Sequence, residues 1–179
     1  MNLSSFFVNK CFEYLLKEER ETSEQGEERP KNEIFPPWAS GSKTFKKLCV
    51  GCGKCAAACK ENLIIIEVNG LPVINFANGS CTFCGDCARS CSHGALHFSD
   101  EQPPWYLNVS INENCLTKRK VLCQLCQEQC GQRAIVFSNG GQNEHYPEIL
   151  SEKCNGCGAC STRCPTDALS FQYINELQP

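Results

Sequence analysis

The sequence predicts an α+β fold of two tandem modules built from short strands and short helices, preceded by an N-terminal extension. Three observations carry this expectation. Cysteine supplies 17 of the 179 residues, and all but Cys11 fall into four spaced groups. The groups recur at near-constant intervals, 32 residues from Cys52 to Cys84 and 34 from Cys123 to Cys157. Each group leads into a brief apolar segment of strand length. The 41% hydrophobic content counts the cysteines. Without them about a third of the chain is apolar, against roughly 45–50% in ordinary domains, so buried hydrocarbon alone promises only a thin core.

The spacing of the cysteines separates their possible uses. Cys49, Cys52, Cys55 and Cys59 form the run C-x2-C-x2-C-x3-C. Cys81, Cys84, Cys87 and Cys91 repeat it, as do Cys154, Cys157, Cys160 and Cys164. In Cys115, Cys123, Cys126 and Cys130 seven residues replace two in the first gap. Zinc modules use two C-x2-C knuckles far enough apart to fold toward one tetrahedral ion. Disulfide scaffolds belong to oxidising compartments, and the N-terminus carries no secretory leader pattern, which points to a reducing cytoplasm. The C-x2-C-x2-C-x3-C run is that of bacterial two-[4Fe–4S] ferredoxins, in which the last cysteine ligates the neighbouring cluster. The runs therefore predict three to four [4Fe–4S] clusters, the fourth depending on the variant run. Crossed ligation would group Cys49, Cys52, Cys55 with Cys91, and Cys81, Cys84, Cys87 with Cys59. It would likewise group Cys115, Cys123, Cys126 with Cys164, and Cys154, Cys157, Cys160 with Cys130.

Taken in order, residues 1–44 read as an extension, partly helical or mobile. Phe6, Phe7, Lys10, Cys11, Tyr14 and Leu15 have roughly helical spacing, and Glu18 through Pro30 is acidic and polar. Cys11 is structural or incidental. Residues 45–99 form the first module. Its runs hold Gly51, Gly53 and Gly85, where the backbone must turn sharply; here and in the second module each run is expected to lead into a short helix, with its fourth cysteine about a turn inside. Leu63–Val68, Pro72–Phe76 and Ala95–Phe98 are its strand candidates. Residues 100–112 are a linker with a strand, since Leu107, Val109 and Ile111 alternate with polar residues.

Residues 113–175 form the second module, with Ala134–Phe137, Pro147–Leu150 and Ala168–Phe171 as strands and Gly156 and Gly158 in its last run. The long gap of the variant run carries Lys118, Arg119 and Lys120, either a positive charge beside a cluster or a solvated loop. Clusters would staple both modules, so removing them should leave the chain largely unfolded.

Several function classes are excluded. Seventeen basic and twenty acidic residues give a net charge of −3, against nucleic-acid binding through phosphate contacts. No run approaches the roughly 18 apolar residues of a membrane span. There is no Walker A loop or dinucleotide fingerprint, and His93, His97 and His145 are isolated from one another. His93, beside Cys91, reads as a polar loop residue rather than a tuner of a cluster. With sixteen cysteines assigned as ligands and no other reactive constellation, the chain reads as an accessory or electron-transfer protein rather than an enzyme.

Phe35-Pro36-Pro37-Trp38, Val73-Ile74-Asn75-Phe76, Cys81-Thr82-Phe83-Cys84, the extended Cys115–Cys130 group, Ala134–Phe137 and Cys154–Cys160 with Cys164-Pro165 follow one another in a recognisable order. Across about residues 35–173 the chain resembles the NapF family of ferredoxin-type proteins of the periplasmic nitrate reductase system. Proline follows only the last run here; Lys60, Ser92 and Gly131 stand at the other equivalents. The resemblance implies a cytoplasmic protein with several [4Fe–4S] clusters. It implies contact with the cytoplasmic precursor of the molybdenum-containing nitrate reductase catalytic subunit, and a role in maturing that subunit before export. An electron-transfer subunit of another oxidoreductase complex would show the same cluster runs.

Overall fold

A computed structural model describes residues 33–140 and 144–174. The helical pattern around Phe6–Leu15, the acidic stretch and Cys11 lie outside the described residues. By contacts the chain divides into residues 1–31 and 32–179, and the second unit holds every element described here.

The elements run α1 (Ser42–Leu48), α2 (Lys54–Ala58), β1 (Ile64–Ile66), β2 (Pro72–Ile74), α3 (Asp86–Arg89), β3 (Leu107–Ile111), α4 (Leu125–Gln129), β4 (Ile135–Gly140), β5 (Glu144–Ile149) and β6 (Leu169–Tyr173). Three antiparallel pairs, β1–β2, β4–β5 and β3–β6, make the sheets. The strand expected in the linker therefore forms, but it pairs with the last strand, Leu107 opposite Tyr173 and Ile111 opposite Leu169. The alternation that marked it is real: Leu107 and Val109 are buried while Asn108 and Ser110 face out.

Two expected elements differ. Ala95–Phe98 makes only one bridge, Leu96 to Ala39, flanked by Ser40 N–H to the Ala95 carbonyl and His97 N–H to the Trp38 carbonyl. Its partner strand begins with Pro36 and Pro37, which have no N–H to extend the ladder. The last cysteine run leads into no helix. Its turns close three residues back, Ser161 to Gly158 and Cys164 to Ser161. Three alanines sustain α2, whereas Ser161 and Thr162 are weaker helix formers. Thr162 spends its hydroxyl on the Ala159 carbonyl, at 2.9 Å, and Pro165 biases Cys164 away from helical backbone. In the other runs the helix begins before the third cysteine, so Cys59 and Cys130 are C-caps rather than residues a turn inside.

Two cores form. One joins Phe35, Phe45, Ile64, Val73, Ala95 and Leu96 with the buried thiols Cys55 and Cys87. The boundary read at residue 44 falls inside it, since the Phe35 and Phe45 rings lie 4.6 Å apart. The other joins Ile34, Leu63 and Phe76 with Trp105, Leu107, Val109, Ile135, Phe171 and Cys160. It takes residues from both cysteine-rich halves, so the halves share a core. Among the described residues no helix is long and apolar enough to cross a membrane.

Candidate metal centres

The loops that carry the cysteines are shaped before any ligand is considered. Gly51 sits at φ +66°, and a Cβ there would stand 2.8 Å from the Gly70 carbonyl oxygen. The equivalent residue in the second run is Phe83, which holds φ 56°, a conformation costly for a bulky side chain. Its ring packs edge-on against Trp105 at 5.8 Å, which offsets that cost. In the variant run the seven-residue gap folds on itself. Arg119 N–H returns to the Cys115 carbonyl, and the buried Thr117 hydroxyl donates to the Cys123 carbonyl at 2.7 Å.

The folded chain gathers twelve of the sixteen thiols into three sets, each around one pocket, and leaves four others. Cys49, Cys52, Cys55 and Cys91 line one pocket, which we term centre A. Cys59, Cys81, Cys84 and Cys87 line a second, centre B. Cys115, Cys123, Cys126 and Cys164 line a third, centre C. The remaining four thiols, which we term centre D, are electrostatic neighbours, though not of one another alone: Cys154 feels Cys130 and Cys157, and Cys160 feels Cys157, Cys154, Cys126 of centre C and Cys130. In each set the outlying member comes from the partner run of the same half. Among the described residues no three histidine, cysteine or acidic side chains converge on a point as a single ion requires; the thiols stand around open space instead.

The thiols are held in two kinds of surroundings. Burial, reinforced by neighbouring thiols, pushes Cys81, Cys87 and Cys160 up to about 12 and Cys55 and Cys126 to about 11. Cys91 goes the other way: burial opposes ionisation there, but the N–H groups of Leu96, His93, Ala95 and Gly94 outweigh it and lower its pKa. Backbone donors also reach other sulfurs, Ala134 to Cys130 and Ala168 to Cys164, both at 3.2 Å. Four thiols around a cavity, with N–H groups directed at sulfur, are the donor set and outer shell of a [4Fe–4S] cluster. The residues present fit that group. Metal binding would have to displace the protons that burial keeps on the thiols.

Of the two readings of the long gap's charges, the structure favours the solvated loop: Arg119 and Lys120 are exposed and none of the three basic residues lines centre C. Lys118 is spent on the Ile111 carbonyl at 2.7 Å and on Glu113 at 2.8 Å, and Arg119 on the Glu113 carbonyl and Asn114. Both tie the variant loop to the end of β3. His93 lines centre A, as does Lys54, and Lys60 lines centre B while pairing with Asp86 at 3.4 Å. Lys60, like Ser92 and Gly131, stands where proline follows the last run.

Residues 48–95 and 121–168 match the 4Fe-4S dicluster domain family. The chain is 35% identical to the ferredoxin-type protein NapF of Escherichia coli K12, over 80% of this chain and 87% of that protein. The chain belongs to this family of ferredoxin-type proteins. It is also 34% identical to NapF of Haemophilus influenzae, over 80% of this chain and 81% of the relative. A methylamine utilization ferredoxin-type protein, MauM of Methylobacillus flagellatus, is 30% identical over 79% of this chain and 68% of its own length. The chain is thus an iron–sulfur protein carrying multiple [4Fe–4S] clusters. The second domain match begins after Cys115, yet Cys115 completes the lining of centre C.

Proposed function

We propose that this chain is a cytoplasmic ferredoxin-type protein that assists maturation of the periplasmic nitrate reductase catalytic subunit before its export. Centres A, B, C and D each hold one [4Fe–4S] cluster, ligated by the four cysteines named for each. Residues 45–99 and 113–175 act as the two cluster modules, with residues 100–112 joining them. The observation that carries the reading is the lining of three pockets by crossed sets of four thiols, in a chain that aligns with most of a NapF protein. When bound, the clusters supply one-electron chemistry.

The chain's own residues do the rest. The cysteines bind, the tight loops bring backbone N–H groups to sulfur, and Phe45, Pro72, Leu96 and Leu116 wall the cavities against water. The work proposed for this chain is binding and electron exchange, in line with its ferredoxin-type relatives.

Anaerobic purification with iron and sulfide counting tests the cofactor half of this reading: four clusters in the wild type, one fewer in Cys126→Ala. Unchanged iron in that variant would show that Cys126 is not a ligand. Pull-down from cytoplasm tests the partner half and should recover the unexported catalytic subunit. Repeated recovery of an unrelated oxidoreductase in fixed ratio, without that subunit, would make the chain an electron-transfer subunit of another complex.

A further inference from the structure

The two halves meet at their cysteine loops. Cys81 N–H donates to the Cys157 carbonyl at 2.8 Å, and the Cys81 sulfur lies within electrostatic range of Cys157 as well as of Cys59 and Cys84. One of these residues belongs to centre B and the other to centre D. Trp105 is wedged beside this junction. Its indole N–H donates to the carbonyl of Asn155, between Cys154 and Cys157, at 3.1 Å. Its ring meets Phe83, between Cys81 and Cys84, at 5.8 Å.

Within the halves, Cys55 of centre A neighbours Cys87 of centre B, and Cys126 of centre C neighbours Cys160 of centre D. Helices α2 and α4 reinforce these neighbours, each carrying one centre's cysteine and ending on a cysteine of the next.

We infer that the four centres form one continuous relay in the order A–B–D–C, with electrons crossing between modules at the Cys81–Cys157 contact and Trp105 as its positioning residue. This rests on the ligand sets proposed above. A low-potential one-electron donor reduces one end, and a one-electron acceptor is reduced at the other. Each transfer oxidises one centre and reduces its neighbour by a single electron, and no bond forms or breaks. The relay makes the two modules one conductor instead of two separate pairs, with A and C as its terminals.

The test uses the full-length holoprotein, kept anaerobic. Cys52→Ala with Cys123→Ala removes a ligand from A and from C and leaves B and D. Iron and sulfide counting comes first, and two remaining clusters uphold the ligand sets. Electron paramagnetic resonance of the dithionite-reduced variant should then show a split, fast-relaxing spectrum from two adjacent reduced centres. Two full clusters giving an unsplit sum of independent signals would overturn the relay while leaving the ligand sets intact. A lower cluster count would instead count against the ligand sets, and Trp105→Phe in the otherwise native chain then decides. With iron content unchanged, it should lose part of the wild-type splitting; a spectrum identical to wild type overturns the inference.

Discussion

Three residues beyond the final cysteine of every run, the backbone adopts the left-handed conformation: Asn62, Gly94, Arg133 and Asp167. Asparagine, glycine and aspartate tolerate that geometry. At Arg133 and Asn62 the turn closes through N–H bonds to the Cys130 and Cys59 carbonyls. The following alanine N–H can then reach the cysteine sulfur, as at Cys130 and Cys164.

Glycines inside the runs obey a second constraint. Gly158 and Gly53 share positive φ, +82° and +73°, but a Cβ on Gly158 would collide with the Phe76 ring while Gly53 faces open space. Alanine at either site costs about 1–3 kcal/mol of backbone strain, and at Gly158 a further ~1–3 kcal/mol of overpacking. Denaturant unfolding with iron retention should show Gly158→Ala clearly worse than Gly53→Ala. Equal losses would mean the Phe76 contact contributes nothing. That cysteines would cluster was readable in their spacing; which loop glycine faces a ring was not, because Phe76 is 82 residues away in sequence.

At the level of elements, strands were more legible than helices. Alternation found β3 and most of β6, but the helices beside the cysteines are one turn or so long, and their fate turned on single residues such as Thr162 and Pro165. The Pro36-Pro37-Trp38 segment looked like a family marker and is in fact a structural partner, docking on Ala95–Phe98 and bonding Trp38 N–H to the Pro104 carbonyl. Strand β6 does more than pair with β3. The Tyr173 hydroxyl accepts the Phe35 N–H at 2.9 Å, and burial pushes its pKa up to about 12 against the small opposing effect of that bond.

A phenol kept neutral in the fold, while the unfolded chain ionises it near pH 10, contributes stability that is complete below about pH 10. That contribution is lost as pH rises toward 12. Tyr173→Phe should cost about 1–3 kcal/mol at neutral pH by orphaning the Phe35 N–H. The gap to wild type should then shrink in unfolding measurements above about pH 10. A gap independent of pH would refute the assigned role.

Considered whole, the described residues hold together through contacts that no local pattern announces. The tandem repeat suggested two modules joined by a linker, and local periodicity has no means of showing that Trp105 inserts between them. It packs on Phe76 at 5.9 Å and Phe83 at 5.8 Å while bonding Asn155. Trp105→Ala should therefore cost about 3–5 kcal/mol and make clusters in both halves labile. Iron release to a chelator would report this, and loss confined to the second half would contradict a shared core. Sixteen thiols in a chain this poor in hydrocarbon leave the cofactors as the main staples, so demetallated protein should lose its tertiary packing.

The Phe35–Tyr173 hydrogen bond spans 138 positions, and Cys164 closes a cavity opened by Cys115. A nascent chain cannot complete either feature until β6 has been synthesised. Closure of centre C and of the Phe35 lead-in therefore comes late in the order of synthesis, after every other described element has left the ribosome's catalytic centre.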